Sequence, residues 1–162
     1  MDVSDFKTLF GDSIRTWLDW DALDDENAQV EDLVLSSRED IGRLYTVWHV
    51  DPEGNPGEWS HPQHRPLTVA QAADTSWPEG RQAKLDRIRE ELADDDGEPV
   101  VLALPVYRAD DNLVVLDSNH RIVGTYRAET ELRVLLVVLA GPASSLILPG
   151  LAQGENDRAD RI

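Results

Sequence analysis

The sequence predicts an α+β fold, a small mixed sheet with packed helices, and three observations carry that expectation. Runs rich in β-branched and aromatic residues recur at 44–50, 100–107, 113–116 and 132–139. Apolar residues fall three and four apart over 4–20 and again over 81–92, the spacing of amphipathic helices. Between them, residues 114–127 read Val-Val-Leu-Asp-Ser-Asn-His-Arg-Ile-Val-Gly-Thr-Tyr-Arg, in which a strand pattern stops at a polar knot and resumes as a helix pattern. At 162 residues and 41% hydrophobic, the chain has material for one core.

Charge narrows the function classes. The chain holds 15 Lys+Arg against 32 Asp+Glu, a formal charge of −17, so its average surface repels phosphodiester backbones and nucleic acid is a disfavoured partner. Without cysteine there is no disulfide, thiolate nucleophile or Cys-ligated zinc. The first residues carry no basic leader and no apolar run approaches the roughly 20 residues of a membrane helix, so the expected address is cytoplasmic, away from the membrane.

Taken in order, Phe6, Leu9, Phe10, Ile14, Trp17 and Leu18 predict a helix over 4–20, weakened at Gly11, with Ser4 or Asp5 as N-cap. Val30, Leu33 and Val34 predict a second short helix over 27–36, its N-terminus suited by Asp24, Asp25 and Glu26. A strand over 44–50 then closes in a Pro- and Gly-rich loop over 51–57. Residues 58–66 hold Trp59, His61, His64 and Arg65 among prolines; two histidines without a third ligand make an exposed loop rather than a metal site. A strand is expected over 67–72, and Trp77-Pro-Glu-Gly turns into a helix over 81–92 with Ala83, Leu85, Ile88 and Leu92 on its apolar face. Asp94, Asp95 and Asp96 form an acidic loop that fits no metal-loop spacing. Residues 99–116 read as a hairpin turning at 109–112, and a strand over 132–139 ends at Gly141-Pro142. Residues 144–151 are expected to pack as a last helix or arm, with a loose tail over 153–162. The expected organisation is an N-terminal helical extension with one strand over 1–60, packed on a core over 61–152.

Asp117-Ser118-Asn119-His120-Arg121 is the chemically richest stretch. Three N-capping residue types precede a helix whose free N–H groups make an anion site, and His120 and Arg121 add charge-assisted donors. The helix over 81–92 carries Arg81, Lys84, Arg87 and Arg89, a concentration of positive charge in so acidic a chain, with Lys84 and Arg87 facing the same way. The bland alternative, pairing with Asp86, Glu90 and Glu91 on a solvated face, stays open on these residues alone.

The order helix, apolar strand, hairpin, strand ending in Asp-Ser-Asn-His-Arg, helix, strand resembles the ParB N-terminal/sulfiredoxin superfamily over roughly 66–141. Members commonly carry Asp-Gly-x-His-Arg or Gly-Cys-His-Arg at this turn. The resemblance implies that His120 and Arg121 hold nucleotide phosphates, that Lys84 completes the site from the preceding helix, and that Arg87 and Glu91 fall where later polar residues sit. It also implies ATP or another nucleoside triphosphate, with Mg²⁺, as cofactor. Asn119 stands where sulfiredoxin has its catalytic cysteine, so sulfinic-acid reduction is excluded, and Ser118 stands where the family usually has glycine. ParB's arginine-rich signature and downstream DNA-binding domain are not in this sequence, which places a partition or nuclease role last.

The expected function is therefore a nucleotide-binding enzyme acting on a small molecule, by phosphoryl transfer or nucleotide hydrolysis. Asp117 is placed for base or metal duty, with His120 and Glu98 as further catalytic candidates, and Lys84, Arg87, Ser118, Asn119, His120 and Arg121 as phosphate ligands. No metal-ligating cluster is proposed from the sequence. The alternative is a noncatalytic binding or regulatory protein whose N-terminal helices, with Trp17, Trp20, Trp48 and Trp59 in the first 60 residues, meet a protein partner.

Overall fold

The computed structural model describes residues 1–14, 18–25, 28–57, 61, 63–93, 98–109 and 111–141, and only the backbone of Ala22, Asp24, Asp25 and Ala109. Along the chain the elements are α1 (Val3–Phe10), α2 (Trp20–Asp25), β1 (Gln29–Leu35), α3 (Arg38–Gly42), β2 (Tyr45–Val50), β3 (Pro56–Gly57), β4 (Arg65–Thr68), α4 (Val69–Ala73), α5 (Glu79–Ala93), β5 (Val100–Ala109), β6 (Asn112–Val115), α6 (Asn119–Arg127) and β7 (Leu132–Ala140). The seven strands form one mixed sheet in the order β1-β7-β5-β6-β2-β3, with β4 also on β2. The α+β class is as expected, and no helix among the described residues is long and apolar enough to cross a membrane.

At the centre, β5 and β7 run parallel from Val100↔Leu132 to Arg108↔Ala140, while β6 folds back antiparallel on β5 and lies parallel to β2. One face of the sheet packs Leu102, Leu104, Val106, Val134, Leu136 and Val138 against Leu85 of α5 and Ile122 and Val123 of α6. The other face holds Tyr107, Val137 and Leu139, and there α1 and α2 insert Phe6 and Leu23, both with no exposed surface. Burying each of those two side chains is worth about 2 kcal/mol. These helices spend their apolar sides on the sheet and are part of the core.

Several expectations are corrected. The first helix stops at Phe10, with Gly11 as its C-cap donating its N–H to the Lys7 carbonyl, and it begins one residue early, at Val3: Asp2 is the N-cap and exchanges backbone–side-chain hydrogen bonds with Asp5 in a capping box. Residues 29–35 are a strand, not a helix: β1 pairs antiparallel with β7 from Gln29↔Ala140 to Leu35↔Val134. The helical spacing of Val30, Leu33 and Val34 was shared with an alternating pattern, in which Leu33 and Leu35 face the main core and Val30 faces the other. The run at 67–72 splits at Thr68, which ends β4 and caps α4 through a box with Gln71. Helix α3, capped by Ser37, carried too few apolar residues to announce itself. The first 60 residues thus supply β1, β2 and β3 to the same sheet as the rest, so the sheet shows no boundary at 60. The acidic run at 94–97 and the segments 144–151 and 153–162 lie outside the described residues.

Candidate functional site

The turn at 117–121 is built by a backbone device that composition alone does not specify. Leu116 closes β6 by donating its N–H to the Pro105 carbonyl, and the chain then enters α6 through Ser118 in the left-handed region, φ 68 and ψ 30. As N-cap, Ser118 makes no side-chain hydrogen bond to the helix, so the first N–H groups of α6 have no side-chain acceptor. Asn119 is only 7% exposed and both polar atoms of its amide are bonded: Oδ1 accepts the Val47 N–H at 3.1 Å and Nδ2 donates to the Val115 carbonyl at 3.2 Å. Its side chain pins the turn to β2 and is not available to a phosphate, which could reach only its backbone N–H. Asn119 was expected among the phosphate ligands, and what the structure shows of its side chain is this structural role.

A bulge in β2 aims the next component. Register slips between Tyr45 and His49 where β2 meets β4, and buried Thr46 repairs the gap, accepting the Trp48 N–H at 3.1 Å and donating to the Leu67 carbonyl at 2.8 Å. Trp48 then meets Trp77 edge-on, ring centroids 5.1 Å apart, and His120 edge-on at 4.9 Å. Trp77 is fixed by its own indole N–H, which donates to the Ala72 carbonyl at 2.9 Å. Over both indoles lies the Arg81 guanidinium, 4.3 Å from the Trp48 ring and 4.6 Å from the Trp77 ring. Burial holds Arg81 below the ordinary arginine value.

His120 is half-buried beside this stack. Its pKa is lowered first by burial and then by the charges of Lys84 and Arg81, so both cations sit close enough to bear on its ring. Arg121 stands exposed on the first turn of α6, next to His120 in the chain. Among the described residues, Arg81, Lys84 and Arg121 have no ion-pair partner; the ion pairs there are Arg43–Glu39, Arg108–Glu31 and Arg127–Asp86. Asp117, half-buried, is the carboxylate of the turn itself.

Arg87 lies exposed one turn beyond Lys84, and the inner position belongs instead to Arg81. Glu98 is not brought to this place. It is exposed two residues before β5, where the Val100 N–H donates to the Glu131 carbonyl past the far end of α6, a helix whose nine residues span about 13 Å. Sequence reasoning passed over the aromatic seat of Arg81. Its signal was Trp77, four residues before Arg81 and just ahead of α5, but the contribution of Trp48 depends on a bulge that no local pattern encodes.

His61 and His64 stack at 4.0 Å, and among the described residues no three His, Asp or Glu side chains come together as a metal site. Compared with known proteins, the chain matches no protein-family model, no curated protein and no solved structure.

Proposed function

We propose that this chain binds the phosphate groups of a nucleotide at the 117–121 turn and acts on a small molecule by phosphoryl transfer or nucleotide hydrolysis, in the manner of the ParB/sulfiredoxin-like proteins its turn resembles. One observation carries the reading. In a chain of charge −17, Arg81 and Lys84 crowd a half-buried histidine at an uncapped helix N-terminus, and neither is matched by a carboxylate among the described residues. Like charges held together repel, and an anion relieves that repulsion; such clusters mark functional sites more often than structural ones.

Each group has a role consistent with its place. The N–H groups of α6, with Arg121 and Lys84, take phosphate oxygens. Arg81 supplies a fixed charge behind them, and His120, whose pKa is lowered by burial and then by Lys84 and Arg81, donates a ring N–H to the phosphate. Asp117 serves the acceptor hydroxyl or a phosphate-bound Mg²⁺. Phosphoryl transfer asks a protein mainly for positioning and charge stabilisation, which is what these groups offer.

Thermal unfolding with ATP, ADP or CTP, each with Mg²⁺, tests the reading. A nucleotide at 100 times its dissociation constant adds about 2.7 kcal/mol, and for this length that raises Tm by roughly 5–10 °C. Arg121→Ala and Lys84→Ala, both at exposed positions, should lose the ligand-dependent gain and keep the unliganded Tm. No gain with any of the three nucleotides refutes the proposal.

A further inference from the structure

The face of the sheet opposite α5 and α6 is covered by α1 and α2 over only part of its length. Strand register lays out what remains. Val34 of β1 lies opposite Leu135 of β7, which lies opposite Ala103 of β5; on the same face, the next pair toward the strand starts is Arg133 beside Val101. Val34 is 64% exposed, Val101 68% and Leu135 39%, so three of the five exposed large hydrophobic residues among those described fall on this one patch. Two charges flank it. Asp32 stands one step beyond Val34 along β1, and Arg133 stands one step beyond Leu135 in the opposite direction along the sheet. Both are exposed, and neither has an ion-pair partner among the described residues.

We infer that this patch is a homodimer interface, with a second copy of the chain as its occupant. The charges argue for self-association. A twofold axis running across the strands at the level of Val34, Leu135 and Ala103 places that apolar row on its own copy. It also brings Asp32 to the level of the partner subunit's Arg133, displaced by one strand spacing of about 4.8 Å, which an arginine side chain spans. The contact is then made twice by symmetry, acid to base at both ends of an apolar row. Sheets packed in this way lie about 10 Å apart with side chains interdigitated. A patch three strands wide belongs to the small, transient class of interface, so the dimer is in exchange with monomer and depends on concentration.

Sedimentation velocity on the full chain across a micromolar concentration series reads this directly. The expected result is a concentration-dependent monomer–dimer equilibrium that Val101→Asp, at an exposed position, weakens at least about tenfold without changing the unfolding temperature. Asp32→Arg and Arg133→Asp should each weaken association, and the double variant Asp32→Arg/Arg133→Asp should restore it. A monomer at every concentration overturns the inference and leaves the patch to another cover, such as the chain's own apolar Leu146, Ile147 and Leu148. Association that ignores Val101→Asp, or a double variant as weak as the singles, overturns it equally.

Discussion

Replacing Ser118 by glycine should stabilise the protein. Ser118 holds φ 68 and ψ 30, a conformation that costs a residue with a Cβ about 1–2 kcal/mol. Its hydroxyl makes no cap bond to α6, so removing it forfeits no hydrogen bond there. Glycine's greater freedom in the unfolded chain subtracts about 0.5–1 kcal/mol, leaving a net gain of about 0.5–1 kcal/mol. For a domain of this length the melting temperature should rise by about 1–4 °C. Urea unfolding is the cleaner assay: the midpoint should move up with the slope unchanged. Ser118→Ala keeps the backbone penalty and deletes only the hydroxyl, so it should stay within about 0.5 kcal/mol of the parent. Glu129, at φ 58 just past the C-terminus of α6, provides a control far from the turn, and Glu129→Gly should gain by a similar amount. Equal losses in Ser118→Gly and Ser118→Ala would refute the reasoning, because they would show the hydroxyl holding the turn. Nucleotide stabilisation should survive Ser118→Gly, since the turn offers backbone N–H groups rather than that side chain.

Asn119→Ala should cost about 2–4 kcal/mol in denaturant unfolding, because it strands the Val47 N–H and the Val115 carbonyl in the core; a cost under about 1 kcal/mol would mean that water replaces the amide. Gly124→Ala should destabilise by about 1–2 kcal/mol despite alanine's better helix propensity, since its Cβ would lie 2.9 Å from Ile88 Cγ2 where α6 meets α5. A gain in stability would show that Ile88 yields. His120 gives a pH dependence of definite sign. With its folded pKa lowered below the ordinary 6.5 by burial and then by Lys84 and Arg81, the unfolded chain takes up the proton first. Its contribution is constant above that value and stability falls as pH drops from 6.5 toward the folded pKa. Lys84→Met should raise the His120 titration in an NMR series, and an unmoved curve would separate the two residues.

The central hairpin, β7, α5 and α6 were legible because each has one unmistakable period and a clear punctuation mark: the 109–112 turn, the polar knot at 117–121, Gly141. The strand β1 was not, because Val30, Leu33 and Val34 satisfy a helical spacing while the residues that decide the matter are its partners on β7, a hundred positions away. Thr68 misled in a different way, since the β-branched pair Thr68 and Val69 straddles a strand end and a capped helix start. At the site, the motif placed His120 and Arg121 at the start of a helix, for the strand–turn–helix unit is local, whereas Lys84 comes from the separate helix α5. Asn119 has a role that the sequence did not reveal: a polar residue in a polar knot looks like a ligand, whereas its amide completes the backbone bonding of two adjacent strands. Arg81 was undervalued because its seat comes from Trp48, brought in by a β-bulge, and from Trp77 ahead of α5.

That seat matters for how a site of this kind works in so acidic a protein. At long range a −17 chain repels a nucleotide, and under the proposed function the exposed Lys84 and Arg121 are the charges that counter this locally and so govern capture. Each is a flexible side chain that gives up rotamer freedom, up to about 2 kcal/mol, when it closes on a phosphate. Arg81 has already given that up, because two indoles hold its guanidinium at 4.3 and 4.6 Å before any ligand arrives. Under the proposed function, the exposed cations therefore set the association rate and its sensitivity to salt, while the stacked one sets how long the nucleotide stays. Removing Lys84 or Arg121 should slow binding most at low ionic strength. Arg81→Lys should instead speed release, since an ammonium keeps the charge but loses the planar group that the two tryptophans hold in place.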